Sequence, residues 1–210
     1  VVSEVEVSEL AGEQPDAKVA VISNVHEVAH DKPGFDDRSG VMFVGGFQHP
    51  PNIDAVEYYA NEIWPLLTEL CPDLETYIIG SRMPDRLKKL GESKGLKMLG
   101  FVEDLTPYYE SCKLAIAPLR YGAGVKGKVN QALSYGLPVV GSPDAFEGMG
   151  LTHEREVMVA ETPEDFAISI AKVCNNPELW QALSERGGAS LVGRFTPEVA
   201  EEALRHALAL

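Results

Sequence analysis

The 210-residue sequence is short of cysteine, of basic residues and of long apolar runs, and each shortage excludes a class of protein. Its three cysteines, Cys71, Cys112 and Cys174, form no C-x-x-C pair and stand near no histidine cluster, so they predict reduced, buried thiols and no metal cluster. With 18 Lys and Arg against 32 Asp and Glu, the net charge of −14 disfavours nucleic acid and anionic membrane surfaces as partners. No apolar run approaches the roughly 20 residues of a transmembrane helix.

The beginning of the sequence also lacks the usual signals of a chain start. The residues VVSEVEVSEL include no initiator methionine, no basic segment and no signal-peptide core. We therefore expect a piece cut from a longer, cytoplasmic chain. The composition, 45% hydrophobic and 24% charged residues, is that of a globular domain with a substantial core.

What is present is a regular alternation of apolar and amphipathic segments. Strands are predicted at 17–23, 40–46, 74–80, 96–102, 114–119, 137–142 and 156–160. Helices are predicted over 53–70, 84–92, 106–112, 125–135, 163–174, 178–190 and 197–210, the first of them capped by Asn52 or Asp54. This rhythm predicts an α/β fold with a Rossmann-like, doubly wound parallel sheet, whose ligand lies outside the carboxyl ends of the strands.

The glycine-rich stretch YGAGVKGKV at 121–129 nearly matches the motif of a nucleotide-binding P-loop. A P-loop needs Ser or Thr after its Lys to bind magnesium, and Val129 stands there instead. The loop after the first strand of the domain, GGFQHPPN, lacks the G-x-G-x-x-G of a dinucleotide site and the acidic cluster of a response-regulator-like switch. These three classes of nucleotide or phosphate protein are therefore disfavoured.

The lysines of this stretch favour a different anion site. A helix beginning near Gly124 places Lys126 and Lys128 in its first turn, where cations oppose the positive end of the helix dipole. A bound anion would turn that conflict into attraction, because free backbone N–H groups and both ammonium groups would converge on it. Gly122 and Gly124 would let the backbone come close to that anion. The alternative is two solvated lysines on an ordinary surface helix.

Several longer stretches, taken in order, resemble a known family. They are FVGGFQHPPNIDAVEYYANEIWPLL, YIIGSRMPDRLKKL, LGFVEDLTPYYESCKLAIAPLRYGAGVKGKVNQALSYGLPVVGSPDAFEGM and VMVAETPEDFAISIAKV. Together they resemble the C-terminal, donor-binding domain of retaining GT-B glycosyltransferases of group 1, family 4-like. The resemblance implies that residues 1–38 end an N-terminal domain and form the interdomain crossover. It makes 39–192 the nucleotide-sugar-binding half of a GT-B fold, and 193–210 a helix that packs back toward the N-terminal domain.

The resemblance assigns catalytic roles to two lysines. Lys126 and Lys128 align with the basic residues that hold the donor diphosphate and stabilise the departing nucleoside diphosphate by fixed positive charge. The other positions implied in donor binding are Gly46, Phe47, His49, Arg82, Phe101, Val102, Gly122, Gly124, Asn130, Gln131 and Glu147.

The resemblance also divides these positions among the parts of the donor. His49, or the backbone of Gly46 and Phe47, would supply another diphosphate contact. The backbone near Phe101 and Val102 would bind the base.

For three of these residues, an ordinary structural role is the alternative to a contact with the donor. Arg82 would reach the nucleotide, and its alternative is an ordinary exposed arginine. Glu147 would approach the ribose or sugar hydroxyls, with helix capping as its alternative. For His49 the alternative is capping or loop packing.

One pair of positions departs from the family pattern. Many relatives carry two glutamates eight positions apart around this helix, and here the two residues are Ala123 and Gln131. Gln131 can still hydrogen-bond a ribose hydroxyl as a neutral partner. The stretch VKGKVNQ resembles a branch of the superfamily that lacks the glutamates. In that branch Asn130 would share the ribose contact with Gln131. Either that branch binds its donor differently, or this domain is impaired.

The resemblance implies an enzyme that transfers a sugar, with retention, from a nucleoside diphosphate sugar. The acceptor, a saccharide, a lipid-linked molecule or a protein, would be held by the missing N-terminal domain, as in polysaccharide biosynthesis. The resemblance implies no cofactor, no metal, no membrane span and no activity for the isolated domain. It places the enzyme in the cytoplasm, either free or peripheral to the inner membrane through the other domain. Two alternatives stay open: a non-catalytic nucleotide-binding module, and a GT-B sugar-nucleotide epimerase.

Overall fold

Six parallel strands form one sheet in the order β3-β2-β1-β4-β5-β6 in the computed structural model, which describes residues 1, 4–14, 17, 19–22, 24–29 and 31–208. The strands are β1 (Val41–Val44), β2 (Thr76–Ile79), β3 (Lys97–Gly100), β4 (Leu114–Ala117), β5 (Val139–Gly141) and β6 (Met158–Val159). Pairs such as Phe43 with Ile78 and Ile116 with Val140 define the register. Strands β1, β4 and β5 are lined almost entirely by buried residues, because central strands of a parallel sheet are covered on both faces.

Helices flank this sheet, and the predicted doubly wound α/β fold is confirmed. They are α1 (Glu4–Glu13), α2 (Pro50–Tyr58), α3 (Trp64–Leu70), α4 (Asp85–Ser93), α5 (Thr106–Ser111), α6 (Gly127–Ser134), α7 (Pro163–Asn175), α8 (Pro177–Leu191) and α9 (Pro197–Ala207). Helix α7 packs against α3, β4 and β5, and α6 packs against α8 and the same two strands. In α7, Thr162 accepts a hydrogen bond from the Asp165 N–H at 3.1 Å, which closes a capping box.

The helix predicted over 53–70 is interrupted in the structure. Helix α2 passes at Tyr59–Ile63 into a π-helical turn, and α3 follows from Trp64. Pro65 has no N–H to donate to the preceding turn, so it cannot continue the α-helical ladder through this point. The predicted cap is also wrong, because His49 occupies the N-cap position and Asn52 lies buried inside the first turn.

The strand predicted at 17–23 is absent from the described residues 17 and 19–22, which are irregular. Ile22 donates its N–H to the Val1 carbonyl at 2.8 Å, so the described part of this segment contacts the first residue of the chain and not an edge of the sheet. A short apolar run makes a strand only where a partner strand takes up its backbone groups. Positions 18 and 23 of this prediction lie outside the described residues.

A buried arginine joins the ends of two helices. Arg38 Nη1 donates to the carbonyl of Tyr109 at 2.5 Å and to that of Cys112 at 3.1 Å, and its Nη2 donates to the Tyr135 carbonyl at 3.1 Å. The guanidinium also lies 5.5 Å from the centre of the Trp180 ring. These carbonyls end α5 and α6, so one cation satisfies acceptors that both helices leave unpaired.

The cysteines are free, as the sequence predicts, with Cys112 and Cys174 buried and Cys71 half-buried. Burial raises the pKa of both Cys112 and Cys174 to about 12, which keeps these thiols protonated and unreactive. Among the described residues, no group of three or more His, Cys, Asp or Glu side chains is placed to hold a metal ion. Within the same part of the chain, every helix is too short or too polar to cross a bilayer.

Candidate functional site at the carboxyl ends of β1 and β4

The order of the sheet fixes where a ligand crevice opens. After β1 the chain builds β2 and β3 on one side, and it then returns to build β4, β5 and β6 on the other. The connections that follow β1 and β4 therefore diverge, and the space between their carboxyl ends is the usual ligand site of such sheets. The loop after β1 leads into α2, and the glycine-rich loop after β4 leads into α6.

Lys128 is a partly buried cation held by neutral groups. Its ammonium donates a hydrogen bond to Asn52 Oδ1 and lies 4.5 Å from the centre of the Phe43 ring. Burial, followed by repulsion from Lys126, lowers the pKa of Lys128 to about 7. No carboxylate of the described residues forms an ion pair with this ammonium, so its charge is available to an anionic ligand.

Asn52 connects this lysine to the loop after β1. Its Nδ2 donates to the Gly46 carbonyl at 2.8 Å, while its Oδ1 accepts from Lys128. A Cβ atom built on Gly45 would lie 2.8 Å from Asn52 Cγ, so the amide fits only because position 45 has no side chain.

Lys126 folds back onto the loop that precedes it. Its Nζ donates to the carbonyls of Gly124 at 2.6 Å and Gly122 at 3.0 Å, and it lies 4.0 Å from Glu147 Oε2. Burial lowers the pKa of Lys126, opposed by the carboxylates of Glu147 and Asp144. Because an ammonium has three N–H donors and two are used by carbonyls, the third remains for a ligand.

Two glycines that precede these lysines adopt backbone conformations with positive φ. Gly122 has φ of 135° and Gly124 has φ of 76°, conformations that residues with a side chain rarely adopt. Helix α6 begins at Gly127, so Lys126 is its N-cap and only Lys128 lies in the first turn, a correction to the predicted start. The N–H groups of Gly127 and Lys128 donate to no backbone carbonyl within the described residues. We call Asn52, Lys126, Lys128 and the backbone of 122–128 the switch-point site.

A second basic residue of the loop is already paired. Arg120 Nε donates to Asp54 Oδ2 at 2.9 Å and Nη2 donates to Asp54 Oδ1 at 2.5 Å, while the guanidinium stacks 4.9 Å from the Tyr58 ring centre. This bidentate ion pair joins the loop after β4 to α2 and neutralises the charge of Arg120. Beside it, a Cβ on Gly122 would be in ordinary contact with Pro51 at 3.7 Å.

The two amides predicted to contact a ribose face other groups here. Gln131 is partly buried, and its Nε2 lies 3.5 Å from Ser134 Oγ. Asn130 is fully buried, and neither its Nδ2 nor its Oδ1 has a hydrogen-bond partner among the described residues. The pKa of His26 is lowered by burial, which the nearby Gln131 side chain opposes. The ribose assignments of Gln131 and Asn130 stay predictions.

The residues predicted from the loop after β1 lie beside the switch-point site. Gly46 offers its carbonyl to Asn52, and Phe47 is buried against Phe43 with its N–H donated to the Ser81 carbonyl at 2.9 Å. His49 is exposed, and its side chain makes no capping hydrogen bond. His49 thus holds the capping position that its alternative implied, through its backbone and without its side chain, and its diphosphate contact stays a prediction.

The remaining predicted positions flank the same end of the sheet. Arg82 follows β2 and is exposed, with φ of 57°. Phe101 follows β3 with 73% of its surface exposed, and Val102 packs partly against the core. Glu147 is half-exposed and contacts the site only through Lys126. Their roles toward a nucleotide stay predictions.

Asn52 is the site residue that the sequence did not reveal. Its place after His-Pro-Pro and before an amphipathic helix fits an N-cap equally well. The signal that distinguishes the two roles is the pair of prolines, because Pro50 and Pro51 suit the first helical positions and move the cap back to His49.

Comparison with known proteins agrees with this architecture. A family model described as glycosyl transferases group 1 matches residues 38–176. An uncharacterised 44.6 kDa protein in the cps region of Klebsiella pneumoniae is 29% identical over 161 residues, which are 72% of this chain and 41% of that protein. This chain therefore spans less than half the length of that relative.

Two solved structures share the fold at low sequence identity. TarM of S. aureus, in a complex with Fondaparinux, alpha-GlcNAc-glycerol and UDP, superposes with a TM-score of 0.82 at 18% identity, over 100% of this chain and 43% of that one. HepE of Anabaena, in complex with UDP and glucose, superposes with a TM-score of 0.76 at 15% identity, over 100% of this chain and 62% of that one. The family match covers all six strands of the parallel sheet and the whole glycine-rich loop, and the chain belongs to the group 1 glycosyl transferases.

Proposed function

We propose that this chain is the donor-binding half of a retaining glycosyltransferase that uses a nucleoside diphosphate sugar. The observation that carries the proposal is the switch-point site. There, the side chains of two lysines and the first N–H groups of α6 lie at the carboxyl ends of β1 and β4. Among the described residues, those N–H groups donate to no backbone carbonyl and Lys128 has no carboxylate partner. Such a site suits a diphosphate, whose charge the helix terminus and the two cations attract together.

In the proposed reaction the bond between the sugar C1 and the diphosphate oxygen breaks while a bond from the acceptor oxygen to C1 forms on the same face. The diphosphate leaves with the electron pair, and one of its oxygens takes the proton of the acceptor hydroxyl. Lys126 and Lys128 stabilise the negative charge that develops on the leaving group. The acceptor would be held by an N-terminal domain, with residues 1–38 as crossover, 39–192 as donor domain and 193–210 returning toward that domain.

Two findings support this proposal. TarM and HepE, which share the fold, were solved with UDP. The crossover also contacts the segment before α9, where the His26 N–H donates to the Phe195 carbonyl at 2.7 Å. UDP is therefore the first nucleotide to test.

The experiment is calorimetric titration of UDP into this chain and into Lys126→Ala and Lys128→Ala. A hydrogen bond between charged partners contributes about 1.5–3 kcal/mol, so each substitution should weaken UDP binding by about 10- to 100-fold. Lys88→Ala removes the same charge from an exposed lysine of α4 and should leave the affinity unchanged. Equal affinities for the wild type and both site variants would overturn the site assignment. If the wild type does not bind UDP, titrations of GDP and ADP test the other bases.

A second candidate is a non-catalytic nucleotide-binding module. Gln131, at the position of a family glutamate, is partly buried beside Ser134 in this structure. This candidate predicts that a longer protein containing both domains binds a UDP-sugar but neither transfers nor hydrolyses the sugar. Release of free UDP from a radiolabelled donor in that assay would reject it.

A further inference from the structure

The orientation of the Asn52 amide is fixed by its two partners. A carbonyl oxygen only accepts and an ammonium only donates, so Nδ2 must face Gly46 and Oδ1 must face Lys128. The side chain is 8% exposed, and the absent side chain at Gly45 leaves the space that it fills. The amide therefore links the end of β1 to the start of α6 through one rigid group.

The neutrality of this amide has a chemical consequence for Lys128. An aspartate in the same place would pair with the ammonium and cancel its charge, and it would set its own negative charge against an incoming anion. The amide instead offers one acceptor and adds no negative charge beside the lysine. It also supplies the donor that the Gly46 carbonyl requires, which a carboxylate cannot do.

We propose that Asn52 is a positioning residue for donor binding: it holds the Lys128 ammonium at the switch-point site as an uncompensated cation. This inference rests on the proposed function, because it gives Lys128 the role of a diphosphate contact. It adds a residue of α2 to a site otherwise built from the loop after β4 and α6. It also makes the neutral charge of position 52 a requirement for anion binding.

The surroundings of Lys128 determine how this proposal is tested by pH. The groups that face its ammonium are Asn52 from α2, the Phe43 ring from β1 and Lys126 from the preceding loop. Tyr109 of α5 lines the same small cavity. The carboxylates of Glu147 and Asp144 act on Lys126. A carboxylate placed at position 52 would thus be the first to face Lys128 directly among the described residues.

The test compares Asn52→Asp with the wild type in UDP titrations at pH 6.5 and pH 9. The isosteric carboxylate should weaken UDP binding at least about 10-fold at pH 6.5, the effect of one lost charge-assisted contact. Because the introduced carboxylate would keep the lysine protonated, the affinity of the variant should change little up to pH 9, whereas that of the wild type should fall. Asn175→Asp, the same charge change on an exposed residue at the end of α7, should behave as the wild type.

A double-mutant cycle separates positioning from simple stability. In a Lys128→Met background, Asn52→Asp should weaken UDP binding clearly less than it does in the wild type, because the pairing with Lys128 is gone and only the direct repulsion of the anion remains. Titration of 15N-labelled lysine side chains by NMR, without nucleotide, should show the Lys128 pKa rising in Asn52→Asp. An equal loss of affinity in both backgrounds, or an unmoved Lys128 titration in a folded variant, would overturn the inference. If the wild type binds none of UDP, GDP and ADP, the proposed function is rejected. The NMR titration, which needs no nucleotide, then still tests the contact between Asn52 and Lys128.

Discussion

Gly80 packs so closely on Gly45 that a Cβ atom built at position 80 would lie 1.8 Å from the Gly45 carbonyl oxygen. The two residues follow the neighbouring strands β2 and β1, and the Gly45 N–H donates to the Ile79 carbonyl at 3.0 Å. Because Gly45 in turn packs on the Asn52 amide, a displacement at position 80 would be passed to the switch-point site.

Gly80→Ala should therefore destabilise the chain by about 1–3 kcal/mol, since backbone must move to admit the methyl group. Urea unfolding measures this change, and the same variant should also bind UDP more weakly. Gly12→Ala is the matched control, because a Cβ atom there meets nothing within 4 Å. Equal stability of Gly80→Ala and the wild type would contradict the close packing.

The buried charge of Lys128 should lower the stability of the chain at neutral and acidic pH. Its pKa is lowered to about 7 in the folded chain from the usual value of 10.5, so the folded chain releases this proton while the unfolded chain keeps it. The cost of the buried charge is thus fully present below pH 7, and it is relieved as the pH rises from 7 toward 10.5.

Lys128→Met should consequently be more stable than the wild type at pH 6, by on the order of 2–3 kcal/mol after allowance for partial solvation. The advantage should shrink steadily between about pH 7 and pH 10 in urea unfolding. Lys88→Met, at an exposed lysine, should show no such pH dependence. A difference between Lys128→Met and the wild type that is constant with pH would reject the lowered pKa.

The same lysine predicts that UDP binding is linked to proton uptake. Above pH 7 the Lys128 amine is mostly neutral in the free chain, and a diphosphate would favour its protonated form. At pH 8, calorimetry in buffers of different ionisation enthalpy should give an uptake approaching about one proton per UDP. Lys128→Met should lose most of that uptake. The prediction is contradicted if the wild type binds UDP at pH 8 without taking up protons.

Substitution of Arg38 should lower the free energy of unfolding substantially. Arg38→Met would leave the Tyr109, Cys112 and Tyr135 carbonyls without this donor, at about 1–3 kcal/mol for each group that stays unpaired. A total of about 3 kcal/mol corresponds to a fall in Tm of roughly 10 °C for a chain of this size. Arg38→Lys should recover little, because an ammonium cannot reproduce the planar fork. Arg186→Met, at an exposed arginine of α8, provides the control.

The sheet from β1 to β6 was predictable because each strand carries its own apolar run between helical segments. The segment at 17–23 has the same composition, yet it forms no strand in its described residues. Its apolar pattern contains no information about whether a neighbouring strand is available, and that depends on the rest of the fold.

The site was predictable in part for a similar reason. Lys126 and Lys128 stand among glycines at the start of a helix, and this local pattern is visible in the sequence. Asn52 acquires its role only by contact with Lys128, which lies 76 positions away in the chain. The lowered pKa of that lysine likewise follows from burial, which the folded chain creates.

Helix α6 is held at both ends before any nucleotide arrives. Arg38 binds the Tyr135 carbonyl at its last turn, and Asn52 binds Lys128 in its first turn. A ligand that contacts α6 therefore meets donors whose positions are already set, and their conformational entropy has been lost during folding. Binding then requires little further ordering of the helix, so association at this site should be governed by desolvation and charge.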